Sequence, residues 1–171
     1  MKLSKSIIAL IVIASITLII LGIVIAQVLV SINTTKQAIN DIGVVSYSEK
    51  SKGKIDIAKA SYDNLLTGVG ATTTFTSIIS DVGYEKLEKA EIAYVEATIR
   101  DIVTKELSGA QDSAIKEATT IARSAFDEYF DANDANKISN YATLQSYEAR
   151  YQSNTQATTD NTDQGEEPEL C

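Results

Sequence analysis

Hydrophobic positions follow two different patterns along the chain. Residues 7–26 read IIALIVIASITLIILGIVIA without a charged side chain, and apolar residues continue at Val28, Leu29, Val30 and Ile32. Beyond residue 33 the apolar side chains recur every three or four positions with polar residues between them, a spacing that predicts amphipathic helices. The fold class we predict is therefore all-α, with one N-terminal transmembrane helix followed by packed helices.

The N-terminal stretch has the length of a membrane span. A spanning helix needs about 20 apolar residues, and we assign residues 7–32 to the lipid bilayer and residues 1–33 to a cytoplasmic stub and transmembrane anchor. Lys2 and Lys5 precede the stretch and no comparable basic cluster follows it closely. The positive-inside rule then predicts a single-pass protein of the cell membrane, with a cytoplasmic N-terminus and an extracytoplasmic C-terminal domain.

Two kinds of N-terminal processing stay open. Val24, Ile25 and Ala26 have sizes that a signal peptidase accepts before Gln27, but the apolar stretch exceeds the roughly 7–15 residues of a signal-peptide core, so we favour an uncleaved anchor. A pilin-type leader could instead end near Lys5 and leave the helix as a filament core. The glycine and glutamate that bacterial type IV pilins carry at that junction are absent.

The outer part contains two similar segments. Residues 39–42 (INDI) match 99–102 (IRDI), and residues 57–63 (IAKASYD) match 121–127 (IARSAFD). A third spacing is shared by Tyr84, Leu87, Glu91 and Tyr94 and by Tyr141, Leu144, Glu148 and Tyr151. Three matched blocks in the same order indicate a repeat of about 60 residues. We predict repeat 1 over residues 34–97, repeat 2 over 98–152 and a disordered acidic tail over 153–171.

The spacing of apolar residues predicts which helix faces are buried. The predicted faces consist of Ile55, Ala58, Tyr62, Leu65 and Leu66 in the first copy and Ile115, Ala118, Ala122, Phe126, Tyr129 and Phe130 in the second. Helix breaks are expected at Gly43, within residues 68–83, at Ser108-Gly109 and within 131–139.

Residues 84–105 contain neither Gly nor Pro, so we expect one helix there whose buried face changes along its length. Its first face carries Leu87, Ala90 and Tyr94 and its second carries Val95, Ile99 and Ile102. The predicted architecture is two tandem three-helix-bundle repeats that share this long helix.

The matched blocks resemble the FIVAR module of bacterial cell-surface proteins. The similar stretches are residues 39–44 (INDIGV), 51–65 with the core AKASYD, and 138–148 (ISNYATLQSYE). The resemblance implies a three-helix bundle used in series as a spacer or binding segment, with no catalytic residues to carry over. The chain departs from the pattern in the longer segment over residues 67–83 and in its N-terminal anchor.

Composition excludes several classes of function. The chain has no His, no Trp and one Cys, which removes Ser-His-Asp and Cys-His catalysis and the usual zinc sites. Only Lys2 and Lys5 of the 15 basic residues precede Lys36, whereas all 23 acidic residues follow it. Such an acidic outer part repels nucleic acid. We predict no catalytic residue, no cofactor and no metal.

A few residues are candidates for contacts with other molecules. Cys171, at the last position, could form an intermolecular disulfide, and Phe75, Ile78 and Ile79 could form a contact loop or simply cover the end of the bundle. We predict a structural or adhesive stalk or interaction module, with a protein or cell-wall partner of unassigned identity and with self-association as a further candidate. Alternatives are a pilin-like filament subunit and a fragment of a sensory ectodomain.

Three weaker signals have simpler interpretations. Asn33-Thr34-Thr35 fits the glycosylation sequon but lies at the expected membrane surface, which favours a chance match. Residues 131–136 (DANDAN) lack the spacing of a calcium loop and are interpreted as a helix-ending loop. Glu85, Glu88 and Glu91 are interpreted as a solvated helix face.

Overall fold

The computed structural model describes residues 5–69 and 82–159, and every regular element in these two ranges is helical. The elements are α1 (Lys5–Asp41), α2 (Glu49–Val69), α3 (Tyr84–Leu107), α4 (Asp112–Tyr129), a 3-10 helix (Ala132–Lys137) and α5 (Tyr141–Thr159). The predicted all-α class is confirmed. The candidate contact residues Phe75, Ile78, Ile79 and Cys171 lie outside the described residues.

The helices end where the sequence offers turn residues. Gly43, Gly83 and Gly109 have φ values of 70°, 99° and 73°, in the left-handed region that glycine adopts without steric cost. After α3, Gly109 N donates to Glu106 O and Ala110 N donates to Lys105 O, both at 3.0 Å. This pair of hydrogen bonds is the Schellman arrangement that satisfies the last carbonyls of a helix. The breaks predicted at Gly43, within 68–83 and at Ser108-Gly109 are confirmed.

Helix α1 is continuous but has two differently exposed parts. From Ile7 to Val30 every large apolar side chain except Val28 is exposed, with exposed fractions between 49% and 71%. Burial begins at Ile32 and continues along one face of the helix at Thr35, Ile39 and Ile42. The most apolar stretch of this helix is not buried against any other part of the described chain. The chain therefore has one N-terminal helix that is long and apolar enough to span a membrane.

The described residues cluster into two compact units. Unit 1 comprises Met1–Val44 and Lys50–Glu88, and unit 2 comprises Val45–Glu49 and Lys89–Cys171. The boundary between them at 88/89 and the predicted repeat boundary at 97/98 both lie inside the unbroken helix α3.

Unit 1 packs the second half of α1 against α2 and the start of α3. Its core includes Ile39, Ile42, Ile55, Ala58, Leu65, Val82 and Leu87. Polar contacts add to this packing, because Thr35 Oγ1 donates to Ser61 O at 3.1 Å and Lys86 Nζ donates to Asn40 Oδ1 at 3.0 Å. The prediction that Leu66 is buried is wrong, since this side chain is 42% exposed. Leu66 lies about 100° around the helix from the buried Leu65 and falls off the edge of the buried face.

Unit 2 is built from α3, α4 and α5. Its core includes Val95, Ile99, Ile102, Ile115, Ala118, Ala122, Phe126, Leu144 and Tyr147. The predicted change of buried face along α3 is confirmed, because Leu87, Ala90 and Tyr94 and then Val95, Ile99 and Ile102 are all buried. Helix α5 continues to Thr159, beyond the predicted start of the tail at residue 153, and no Gly or Pro interrupts it there.

A short segment between α1 and α2 belongs to unit 2. Tyr47, in this Val45–Glu49 segment, has its ring centroid 6.4 Å from that of Tyr94 on α3. Tyr94 in turn contacts Tyr129 of α4 edge to face, at 6.2 Å. Aromatic pairs at these separations contribute about 0.5–1.5 kcal/mol beyond the burial of their area, so the Tyr47 ring helps to hold this segment against α3.

Candidate functional site

An exposed apolar stretch of α1 is the first candidate site among the described residues. From Ser6 to Val30 the helix rises about 37 Å at about 1.5 Å per residue, compared with about 30 Å for the hydrocarbon core of a bilayer. Ser15 Oγ and Thr17 Oγ1 each donate at 2.9 Å to the carbonyl four residues earlier. Their hydroxyl protons are thus satisfied within the helix, as an apolar solvent requires.

Polar residues become frequent from Gln27 onward in α1. Gln27 is the first amide side chain of the helix, and its carboxamide makes no hydrogen bond within the described part of the chain. Thr34 Oγ1 donates to Val30 O at 3.0 Å, so its proton is used inside the helix. Gln27 is therefore an exposed polar group whose side chain makes no hydrogen bond within the described residues.

The glycosylation sequon at Asn33 lies within α1. The hydroxyl of its third residue, Thr35, is buried and donates to Ser31 O at 2.9 Å and to Ser61 O at 3.1 Å. A helical sequon with its hydroxyl in the core is not presented as an accessible loop. The structure thus favours the interpretation of this sequon as a chance match.

Arg123 of α4 and Glu148 of α5 form an ion pair in unit 2. Arg123 Nε donates to Glu148 Oε1 at 2.5 Å and Arg123 Nη2 to Glu148 Oε2 at 2.6 Å, a two-bond geometry that fixes both side chains. Arg123 Nη1 also donates to Tyr141 OH at 3.2 Å. The hydrogen bond that Arg123 donates to Glu148 raises the pKa of Arg123, so the guanidinium stays charged. It positions helices and cannot act as a general base.

Two contacts of the Arg123 cluster have counterparts in unit 1. Lys59 and Asp63 form an ion pair at 3.4 Å, and Arg123 and Asp127 form one at the same distance. In the same way, the rings of Tyr62 and Tyr84 lie 5.2 Å apart, and those of Phe126 and Tyr141 lie 4.7 Å apart. These residues are the ones that the sequence blocks match.

A second polar cluster joins the end of α3 to α4 and α5. The Tyr147 hydroxyl donates to Glu106 Oε2, Arg150 Nη1 donates to Glu106 Oε1 at 2.7 Å, and Tyr151 OH donates to Asp112 Oδ1 at 3.0 Å. Burial and the Glu106 carboxylate raise the pKa of Tyr147 to about 12. Hydrogen bonds from Tyr147 and Arg150 lower the pKa of Glu106. Both shifts move away from neutral pH, whereas proton-transfer catalysis needs groups that titrate near it.

The lowered pKa of Glu106 predicts an acid-sensitive contribution to stability. Because the folded-state pKa lies below the ordinary value of 4.5, the unfolded chain binds this proton more readily. The contribution is therefore complete above about pH 4.5 and is lost as the pH falls through the folded-state pKa. We expect Glu106→Gln to be less stable than the native chain at about pH 7 but to lose less further stability at about pH 3, as measured by urea unfolding. Equal losses on acidification in both chains would contradict this prediction.

The remaining acidic candidates have structural roles. Asp131 Oδ1 accepts a hydrogen bond from Asn133 N at 2.7 Å, and Asp134 completes a capping box at the start of the 3-10 helix. The preceding helix α4 ends at Tyr129, as the prediction of a helix-ending segment requires, but residues 132–137 form a 3-10 helix and not an irregular loop. Glu91 is buried, so the prediction that it belongs to a solvated face is wrong, whereas Glu85 is exposed. Within residues 5–69 and 82–159 no group of three or more acidic or Cys side chains is arranged to hold a metal ion.

Sequence reasoning identified the apolar span but not the polar clusters. Arg123 and Glu148 each belong to a matched block of the sequence, and the structure pairs them. The sequence signal for this pair is that each residue lies at helical spacing from an aromatic residue of its own block.

Comparison with known proteins finds no family model, no curated protein and no solved structure that matches this chain.

Proposed function

We propose that this chain is a single-pass, membrane-anchored helical stalk or protein-interaction module without catalytic activity. The observation that carries the proposal is the course of α1, which is bare and apolar from Ser6 to Val30 and enters a protein core at Ile32 without a break. This part of the helix is as long as a bilayer is thick, and no protein surface within the described residues covers it. Lipid is the environment that satisfies this surface.

The continuity of α1 gives the anchor a mechanical role. Between Ala26 and Asp41 the helix contains no Gly and no Pro, the residues at which helices most often kink. The packed half at Thr35 and Ile39 therefore continues the axis of the anchoring half. A module attached in this way is held at a fixed angle to its span, which suits a stalk better than a flexibly tethered enzyme.

We interpret the outer part as two FIVAR-like repeats that share α3. Burial supports this interpretation, because the interior positions of α2 recur in α4 at the offset of the matched blocks. The corresponding positions are Ser51, Ile55, Ala58, Tyr62 and Leu65 in α2 and Ile115, Thr119, Ala122, Phe126 and Tyr129 in α4, each buried or half-buried. Repeats of this kind provide surface for a protein or cell-wall partner and need no reactive group.

The orientation follows from charge. Lys2 and Lys5 lie on the N-terminal side of the span, and the next basic residue is Lys36. The proposed arrangement places the N-terminus in the cytoplasm and both repeats outside.

Protease treatment of intact cells that express the full chain tests the orientation. We expect an external protease to remove the region beyond residue 36 from intact cells and to leave a membrane-embedded fragment that begins at the N-terminus. A cytoplasmic protein of the same cells is the control for membrane integrity. Protection of residues 36–152 in intact cells, with digestion in lysates, would contradict the proposed surface location.

A filament subunit is the second candidate function. The same observation favours it, because a helix bare around its whole circumference can be surrounded by other copies as well as by lipid. This candidate predicts an N-terminus shortened near Lys5 and fibres visible by electron microscopy. If the membrane-bound protein keeps its N-terminus and forms no fibres, the filament candidate is excluded and the anchored stalk is supported.

A further inference from the structure

The side of α1 opposite the unit 1 core has a regular composition. The buried side carries Ile32, Thr35, Ile39 and Ile42. At about 100° per residue, the opposite side carries Ile23, Gln27, Val30, Thr34 and Gln37, which we call the outer stripe. Its residues are all exposed, and they alternate in steps of four and three, the spacing at which two parallel helices keep one seam in contact.

The outer stripe continues from the apolar segment onto unit 1 without a charge. No charged residue occurs between Lys5 and Lys36, and Lys36 lies off the stripe, which ends at Asp41. Beside the stripe, a shallow groove is lined by Thr34, Gln37, Ala38, Asp41, Lys54 and Ile57. Ile57 of α2 is 63% exposed at this groove, so the apolar surface extends beyond the span.

Charge elsewhere restricts where two copies of the chain can meet. The full chain has a net charge of −8, and all of its acidic residues follow Lys36. Two outer parts of like charge repel each other at most of their surfaces. The outer stripe is one surface on which this repulsion is absent, and it extends the uncharged surface of the span to Gln37. Two anchored chains that meet along it run parallel.

Gln27 supplies a specific attraction. Its carboxamide has no hydrogen-bond partner within the described residues and lies between Ile23 and Val30, where the neighbouring surface is apolar. A carboxamide has both donors and an acceptor, so two Gln27 side chains from parallel helices at the same height can bond to each other. A lipid chain offers neither a donor nor an acceptor.

We propose that two copies of the chain pair in parallel through the outer stripe, with Gln27 bonded to Gln27 of the second copy. The proposal rests on the anchored function above, since the shared bilayer is what makes the two helices parallel. When both copies contribute the same stripe, the two chains form a closed dimer with two-fold symmetry. The outer repeats then stay free for another partner.

Disulfide cross-linking of full-length protein in membranes tests the pairing face. In a Cys171→Ser background, Ile23→Cys, Val30→Cys and Thr34→Cys place single thiols on the outer stripe, and Leu21→Cys and Ile25→Cys place matched thiols on the opposite side. Mild oxidation is expected to give covalent dimers from the first three variants and little or none from the other two. Equal cross-linking at all five positions, or cross-linking only at Leu21→Cys and Ile25→Cys, would overturn the pair.

Substitution of Gln27 tests the specific contact. Interhelical polar contacts in membranes have measured energies that correspond to a change in association of between about threefold and about twentyfold, and we expect Gln27→Leu to weaken dimerisation in lipid vesicles within that range. Gln27→Asn keeps the carboxamide and is expected to retain most of the association. Unchanged or stronger dimerisation of Gln27→Leu would contradict the role of this residue.

The two proposals fail in distinguishable ways. Protein that stays in the membrane fraction but gives no face-selective dimer overturns the pair and leaves the anchored stalk in place. Protein that is absent from the membrane fraction, with its N-terminus intact, overturns both.

Discussion

Replacing Phe126 with alanine is expected to destabilise unit 2 by about 3–5 kcal/mol, the usual cost of removing a buried phenylalanine ring. Phe126 is 1% exposed, and its ring lies 4.7 Å from that of Tyr141 and 6.0 Å from that of Phe130. The substitution removes this aromatic packing and leaves a cavity between α4 and α5. Because the chain has two units, a single unfolding transition cannot be assumed, and hydrogen exchange in α4 and α5 peptides measures the loss locally.

Ile121→Ala is the control for Phe126→Ala. Ile121 lies on the same helix but is 37% exposed, so its truncation removes less buried area and should cost less than about 1.5 kcal/mol. Comparable losses for the two variants would show that α4 does not bury the face described here.

Replacing Arg123 with alanine is expected to cost about 2 kcal/mol. Loss of one partner from a fully buried pair costs about 3–5 kcal/mol, and the value is smaller here because the Arg123 and Glu148 side chains are 31% and 21% exposed. The substitution leaves the Glu148 carboxylate without its Arg123 partner. It also removes the contact of the guanidinium with two rings, since Arg123 Cζ lies 5.4 Å from the Phe126 centroid and 5.5 Å from the Tyr141 centroid. Hydrogen exchange of α5 reports the effect.

Lys59→Ala is the matched substitution in unit 1. The Lys59–Asp63 pair is more exposed, at 39% and 55%, and pairs of this kind contribute about 0.3–0.5 kcal/mol. The Arg123→Ala effect should therefore exceed the Lys59→Ala effect several-fold. An equal or larger effect of Lys59→Ala would mean that the contact between α4 and α5 is not the main role of Arg123.

Much of the fold could be predicted from the sequence because its signals are local. Gly43 and Gly109 mark helix ends through a backbone conformation that other residues rarely adopt. The helical period identified the buried faces of α3 and α4. The helical period wrongly predicted that Leu66 is buried. An apolar residue at the edge of a helix face has the same spacing whether or not a neighbouring helix covers it, so the sequence cannot decide its burial.

The polar contacts could not be predicted because they depend on tertiary geometry. Glu91 occupies a helix position that is compatible with either solvent or a core, and only the packing around α3 decides that it is buried. Arg123 and Glu148 are 25 residues apart in sequence, and their pairing requires the relative rotation of α4 and α5. Neither the packing around α3 nor the rotation of α4 relative to α5 can be derived from the residue spacing within one helix.

The sequence predicted most of the exposed apolar segment of α1 but not the residue at which this segment ends and the protein core begins. Val28, Val30 and Ile32 are all apolar, so their sequence does not distinguish a lipid-facing residue from one that enters a protein core. The structure separates them, with Val30 exposed and Ile32 buried. The change within this short stretch is where the proposed anchor becomes part of the folded module.

The most direct test of the account is alkaline extraction of membranes that contain the full chain, with intact-mass measurement of the extracted protein. The account predicts that the protein remains in the membrane pellet at high pH, is released by detergent, and has a mass that includes residues 7–32. Recovery of a monomer in detergent-free buffer with those residues still present would contradict it, because about 37 Å of bare apolar helix would then have no apolar environment.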